Sequence, residues 1–137
     1  MGQRHKAREY ALQGLYMFDV GKAALDEIKK FDWLDDPMED EAKDFTFTLI
    51  EGTISNLDAI DEVIREYSRN WTPERLTVID RSILRLAIFE MLFMKDIPAV
   101  VTIDESIELG KTFGGENSGQ FINGILDSVK KFKLRED

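Results

Sequence analysis

The sequence predicts an all-α fold of six or seven helices. Three observations carry this. Apolar residues recur at spacings of three and four along most of the 137 residues, the period of a helix with one buried face. Capping residues and Pro or Gly breakers separate these stretches. The single β-like run, "PAVVTI", has no second strand to pair with.

In "MGQRHKAREYALQGLY" and the residues after it, Ala7, Ala11, Gly14, Leu15 and Phe18 form one stripe that Gly21 would end. At about 100° per residue, Arg4 and Arg8 share an edge of that stripe, while Lys6, Gln13 and Tyr16 turn to other faces. Residues 21–44 read as a polar connector with a short amphipathic piece, "ALDEIKKF", punctuated by Pro37. A second long helix is expected from about Glu39 to Asn56, with Phe45, Leu49 and Ile50 facing the core. After a turn near Asn56, "LDAIDEVIREY" places Leu57, Ile60, Val63, Ile64 and Tyr67 on one face.

In "NWTPERL", Thr72 is the expected cap and Pro73 the first helical residue. From Leu76 to Met94 the pattern is apolar almost all round, which predicts a central helix; its polar exceptions are Asp80, Arg81, Arg85 and Glu90. Pro98 breaks the chain. "TIDE" then reads as a capping box of Thr102 and Glu105, ahead of a stripe of Ile103, Ile107, Gly110 and Phe113. Gly114 and Gly115 end that helix. Asn117 with Gln120 offers a second cap of the same kind, opening a helix whose core face is Ile122, Ile125, Leu126 and Val129. By periodicity alone Phe121, at the flank of that face, is a core phenylalanine. Gly110 and Gly124 read as sites of close helix packing.

The length fits one domain spanning residues 1–137. With 43% hydrophobic and 33% charged residues of both signs, the chain reads as soluble and globular. The absence of cysteine excludes disulfides, thiolate nucleophiles and cysteine zinc sites. No apolar run of signal-peptide or membrane-span length is present, so the expected compartment is the cytoplasm.

Enzymatic chemistry finds little support. His5 is the sole histidine, which removes HExxH zinc sites, Ser-His-Asp triads and paired histidines. "FGGENSG" lacks the spacing of either phosphate-binding glycine loop. The close carboxylates Asp35/Asp36 and Asp58/Asp61/Glu62 read as solvated charge. Glu90 lies on an apolar face and needs a cation or hydrogen bonds, which favours a structural bond to a neighbouring helix over a tuned acid. No cofactor or metal is implied.

The charge is unevenly placed. The formal net charge is -9, yet Arg4, Lys6 and Arg8 crowd the start, and Lys130, Lys131, Lys133 and Arg135 the end. An acidic protein repels nucleic acid at long range, so a polyanion would need a local patch. From charge alone, solvated helix termini account for both clusters.

Three blocks in order, "RHKAREYALQGLY", "DRSILRLAIFEM" and "IPAVVTIDESIELGKTFGGENSGQFINGILD", resemble the signature blocks of the NusB family of bacterial transcription antitermination factors. The resemblance covers nearly the whole chain and is weakest between Val20 and Trp71. It implies about seven helices packed as two helical subbundles. It implies a non-catalytic adaptor that binds boxA, a short single-stranded element of nascent RNA. It also implies NusE, a protein shared with the small ribosomal subunit, as partner, and antitermination complexes of RNA polymerase during ribosomal RNA synthesis as the setting. Some members dimerise; the sequence leaves monomer or homodimer open.

The resemblance also assigns residues. Arg4, His5, Lys6 and Arg8 match the family's arginine-rich first-helix start, where cations neutralise phosphates and guanidinium groups stack on or bond to bases. His5 and Lys6 stand where arginines are common in relatives, so weaker or pH-dependent binding is expected. Phe121 becomes a base-stacking platform, with amides near Ser118 and Gly119 available to a phosphate. Asn117 matches a position often acidic in the family. Gln13 and Tyr67 are further RNA candidates. Tyr16 and Asp80 match positions that meet NusE, on a face separate from the RNA; Arg81 and Arg85 read equally as helpers there or as structural salt bridges with neighbouring acids. Two rivals are a helical protein–protein adaptor with incidental basic ends and the NusB-like RNA-binding domain of an rRNA methyltransferase system. The second needs a Rossmann domain beyond these 137 residues and is not expected unless the sequence is a fragment.

Overall fold

The computed structural model describes residues 2–68 and 72–136. Among these, seven helices follow in order: α1 (Gly2–Asp19), α2 (Leu25–Ile28), α3 (Asp40–Ser55), α4 (Leu57–Ser68), α5 (Val78–Phe93), α6 (Ala99–Phe113) and α7 (Ser118–Ser128). A 3-10 turn, Pro73–Arg75, precedes α5, and a π-helical turn, Val129–Lys133, extends α7. No strand occurs among the described residues; "PAVVTI" opens α6.

Two subbundles result. Helices α1, α2 and α3 pack together, α4, α6 and α7 form the second group, and α5 touches α1, α3, α4, α6 and α7. Its sequence explains the position. Ile83, Leu84, Leu86, Ala87, Ile88, Phe89 and Met91 are all buried and point round the full circumference, so α5 needs neighbours on every side. One continuous hydrophobic cluster runs from Ala7 in α1 to Val129 after α7. The expected core faces of α3 (Phe45, Leu49, Ile50), α4 (Ile60, Val63, Ile64) and α7 (Ile122, Ile125, Leu126) are buried.

The helix ends depart from the sequence reading. Thr72 makes no side-chain cap; Pro73 starts the 3-10 turn, and Thr77 caps α5 by accepting from the Asp80 amide at 3.2 Å. The Asn70 and Trp71 opening of that stretch lies outside the described residues. "TIDE" is not a capping box, because α6 already begins at Ala99, placing Thr102 and Glu105 inside it. Asn117 makes no side-chain cap either; the Gly115 amide donates instead to Ser118 Oγ at 2.9 Å. After α1 the left-handed residue is Lys22 (φ 57°), not Gly21. Phe113 does not join the core but is exposed at the end of α6.

Glycines mark where helices meet closely. A Cβ on Gly110 would lie 3.0 Å from Ile122 Cδ1 and 3.2 Å from the Gly119 amide nitrogen, so α6 and α7 touch there. Gly124 faces open space, against the packing role expected for it. At Gly52 a Cβ would sit 2.1–2.9 Å from three atoms of the Phe89 ring, which fills the α3–α5 contact. Gly52→Ala gains helix propensity of about 1 kcal/mol but must expel that ring, an overpacking cost of about 1–3 kcal/mol. A net loss of up to about 2 kcal/mol is expected by urea denaturation, relieved by Phe89→Leu in the same chain. A variant as stable as the parent would show that the ring moves freely.

Candidate nucleic-acid interface

The cationic start of α1 divides into a buried half and an exposed half. Arg8 is 4% exposed and Glu90 of α5 1% exposed. Arg8 Nε donates to Glu90 Oε2 at 2.9 Å and Nη2 to Oε1 at 2.8 Å, and the Thr102 hydroxyl of α6 donates to the same Oε1 at 3.0 Å. This is the structural bond that Glu90 requires, and it ties three helices together. The Arg8 guanidinium is therefore committed inside the protein, which corrects its reading as a phosphate contact. At helical spacing the residue lies on the edge of the apolar stripe, and α5 supplies a carboxylate that draws it inward.

Arg4 is exposed. Its guanidinium lies over the Phe45 ring of α3, 4.6 Å from the centroid, so the ring orients the cation while leaving it open to an anion. Arg8 lies over the same ring at 5.5 Å. Lys6 is exposed, 3.6 Å from Glu9 and 5.3 Å from the Tyr10 ring centroid.

His5 sits between these halves. Its Nδ1 lies 2.8 Å from Glu105 Oε1 and its Nε2 3.4 Å from Glu9 Oε2. The hydrogen bond to Glu105 raises its pKa above the ordinary 6.5, with the charges of Glu105 and Glu9 assisting against partial desolvation and Arg8. A raised folded-state pKa means stability that is fully present below the unfolded value and lost as pH rises through the folded value. The melting temperature should therefore fall, relative to a His5→Gln variant, between about pH 6 and about pH 8. Parallel melting curves for the two proteins across that range would remove the interaction.

The other candidates group differently from the sequence reading. Gln13 and Tyr16 line one cavity of about 390 Å³ with Lys6, Glu9, Asp35, Asp36 and Phe113. Asn117 and Phe121 line another of about 320 Å³ with Arg75 and Asp80. Tyr16 and Asp80 thus share walls with RNA candidates rather than occupying a separate face. Phe121 is half-buried against the core, with an edge open to the cavity. Ser118 is buried and its hydroxyl holds the Gly115 amide; Gly119 is buried against Gly110. Neither offers a phosphate cradle, because the α6–α7 contact closes over them. Asp80 Oδ1 is buried without a hydrogen-bond partner.

Tyr67 sits on α4, half-buried, its phenol pushed up by burial and by Glu66. Arg81 is structural: Nε and Nη2 meet Asp19 Oδ2 at 2.8 and 2.7 Å, and Nη1 donates to the Pro73 and Leu76 carbonyls at 3.0 and 3.3 Å. Arg85 likewise pairs with Asp61 through two bonds of 2.9 Å.

Arg4 and Phe121 line different cavities. Arg4 shares a cavity with Pro98 and Val101 at the start of α6, whereas Ile122, next to Phe121, meets Gly110 near its end, roughly 14–18 Å apart along that helix. Glu9, Asp35 and Asp36 line the cavity beside Lys6, so a polyanion there meets mixed charge. Sequence reasoning missed Phe45 as the support of Arg4, Glu105 as the partner of His5, and Arg75 beside Phe121. "TIDE" drew Glu105 into a local cap, and the other two carry no local signal.

Residues 5–131 match the family model described as the NusB family. The chain belongs to the NusB family. The transcription antitermination protein NusB of Desulforapulum autotrophicum is 42% identical over 135 residues, covering 97% of this chain and 94% of the relative. NusB of T. maritima superposes with a TM-score of 0.87 at 42% identity, over 94% of this chain and 91% of that one. A NusB solved with NusE and dsRNA is 24% identical and shares the fold, with a TM-score of 0.80 over 96% and 98% of the two chains. The two-subbundle architecture is thus that of solved NusB proteins.

Proposed function

We propose that this protein is a non-catalytic antitermination factor that binds the boxA element of nascent RNA together with NusE, and that it acts in RNA polymerase antitermination complexes during ribosomal RNA synthesis. The observation that carries this reading is the kinship with transcription antitermination proteins along nearly the full chain. A protein of the same fold has been solved with NusE and dsRNA, which is consistent with NusE and RNA as the classes of partner. The geometry supports a divided RNA surface: Arg4 and Lys6 exposed at the start of α1, and the open edge of Phe121 beside Asn117 and Arg75. The first supplies phosphate neutralisation, the second a ring on which an unpaired base stacks.

A salt titration of boxA RNA binding, with and without NusE, tests the proposal. Arg4→Ala with Lys6→Ala should weaken binding and lower the salt slope by about 0.7 per lost contact. Phe121→Ala should weaken it by about 1–3 kcal/mol with the slope nearly unchanged. Unaltered affinity and slope in the α1 double variant would take that edge out of the RNA surface.

A further inference from the structure

A second cationic segment follows α7. The helix continues into the π-helical turn Val129–Lys133, which is pinned at both ends: Val129 is fully buried, and Leu134 packs on the core. Between these anchors Lys131, Phe132 and Lys133 face solvent, with Arg135 beyond. Phe132 is 69% exposed, more than any other large hydrophobic residue described. A single exposed apolar residue is ordinary; its setting is not. It stands among Lys130, Lys131, Lys133 and Arg135, with no acid from Val129 to Arg135, on a protein of net charge -9. Lys131 also pairs with Asp127 at 3.2 Å, an exposed contact that a phosphate can displace.

We propose that this turn is a second contact for single-stranded RNA. Phe132 receives the face of an unpaired base, and Lys131, Lys133 and Arg135 hold the flanking phosphates. The proposal rests on the RNA-binding reading above. An aromatic face alternating with cations is the composition that grips single strands without reading their sequence. An acidic peptide would use the cations but leave the ring idle, and a duplex keeps its bases stacked on one another.

The topology places the turn usefully. Gly119, at the start of α7, lies against Gly110 near the end of α6. The two helices form an antiparallel hairpin, so the π-helical turn returns to the level of the start of α6. There Pro98 and Val101 line a cavity with Arg4 and His5. A strand held at Arg4 is therefore at the correct end of the bundle to reach Phe132. Phe121 lies near the opposite end of α7, about 16 Å away along its axis.

The test compares boxA RNA alone with boxA extended by a single-stranded flank, each measured by fluorescence anisotropy. Phe132→Ala should weaken the extended RNA about fivefold or more and leave boxA alone unaffected, while Phe132→Trp retains parental affinity. Lys131→Gln with Lys133→Gln should lower the salt slope for the extended RNA by about 0.7 per cation. Parental affinity of Phe132→Ala for the extended RNA, with Arg4→Ala plus Lys6→Ala weakening both RNAs, overturns the second contact and leaves the α1 surface standing. An equal loss toward a polyglutamate peptide also overturns it. If the parent holds neither RNA, both readings fall. Because Phe132 is largely outside the core, an unchanged circular dichroism spectrum is expected of each variant.

Discussion

Arg8→Ala should cost about 3–5 kcal/mol of folding stability. The substitution leaves Glu90, 1% exposed, with only the Thr102 hydroxyl for its charge. The penalty comes from the stranded carboxylate more than from the lost attraction, and this makes a sharp comparison possible. Replacing both partners, as in Arg8→Met with Glu90→Leu, removes the buried charges together and should recover most of the loss. Urea denaturation checks both, as a shift of midpoint at constant slope. A loss in Arg8→Ala below about 1 kcal/mol, the range of a surface pair, would show that the guanidinium is not committed to Glu90. The consequence for function is direct. Arg8→Ala will behave like an RNA-binding variant in any assay that does not measure folding, because it loosens the helix that carries Arg4 and Lys6.

Arg81→Ala should lower stability by about 2–3 kcal/mol without changing the affinity of the folded protein for NusE. Arg81 joins the end of α1, through Asp19, to the carbonyls of Pro73 and Leu76 ahead of α5. Its loss strands the Leu76 carbonyl, leaves the Pro73 carbonyl with only the Leu76 amide at 3.3 Å, and leaves Asp19 with Arg85 at 3.6 Å. Both side chains of the main pair are largely buried, at 14% and 16% exposure, so solvent repairs the loss only in part. Thermal melting and NusE titration on the same sample separate the alternatives. A fall in NusE affinity at an unchanged melting temperature would return Arg81 to the partner surface.

These two arginines show where sequence reasoning stops. Both occupy flank positions on apolar helices, where period alone allows either solvent or a neighbour. Arg8 finds its carboxylate 82 positions away and Arg81 finds its own 62 positions away. No local pattern encodes such a choice. Glu90 was different: a carboxylate on the apolar face of a central helix announces that it needs a partner, though not which one. The capping motifs failed for a related reason. Thr102 and Glu105 have the right spacing for a box, but Pro98 allows the helix to begin earlier, and the two side chains reach Glu90 and His5 instead.

The sequence by itself determined the helices, the central place of α5 and most of the core. Those properties follow from burying a repeating apolar face, and a repeat is local information. Only the tertiary structure decided which cations remain free for RNA. That depends on which helix brings a carboxylate within hydrogen-bonding distance, and it left Arg4 and Lys6 outside while closing Arg8 in.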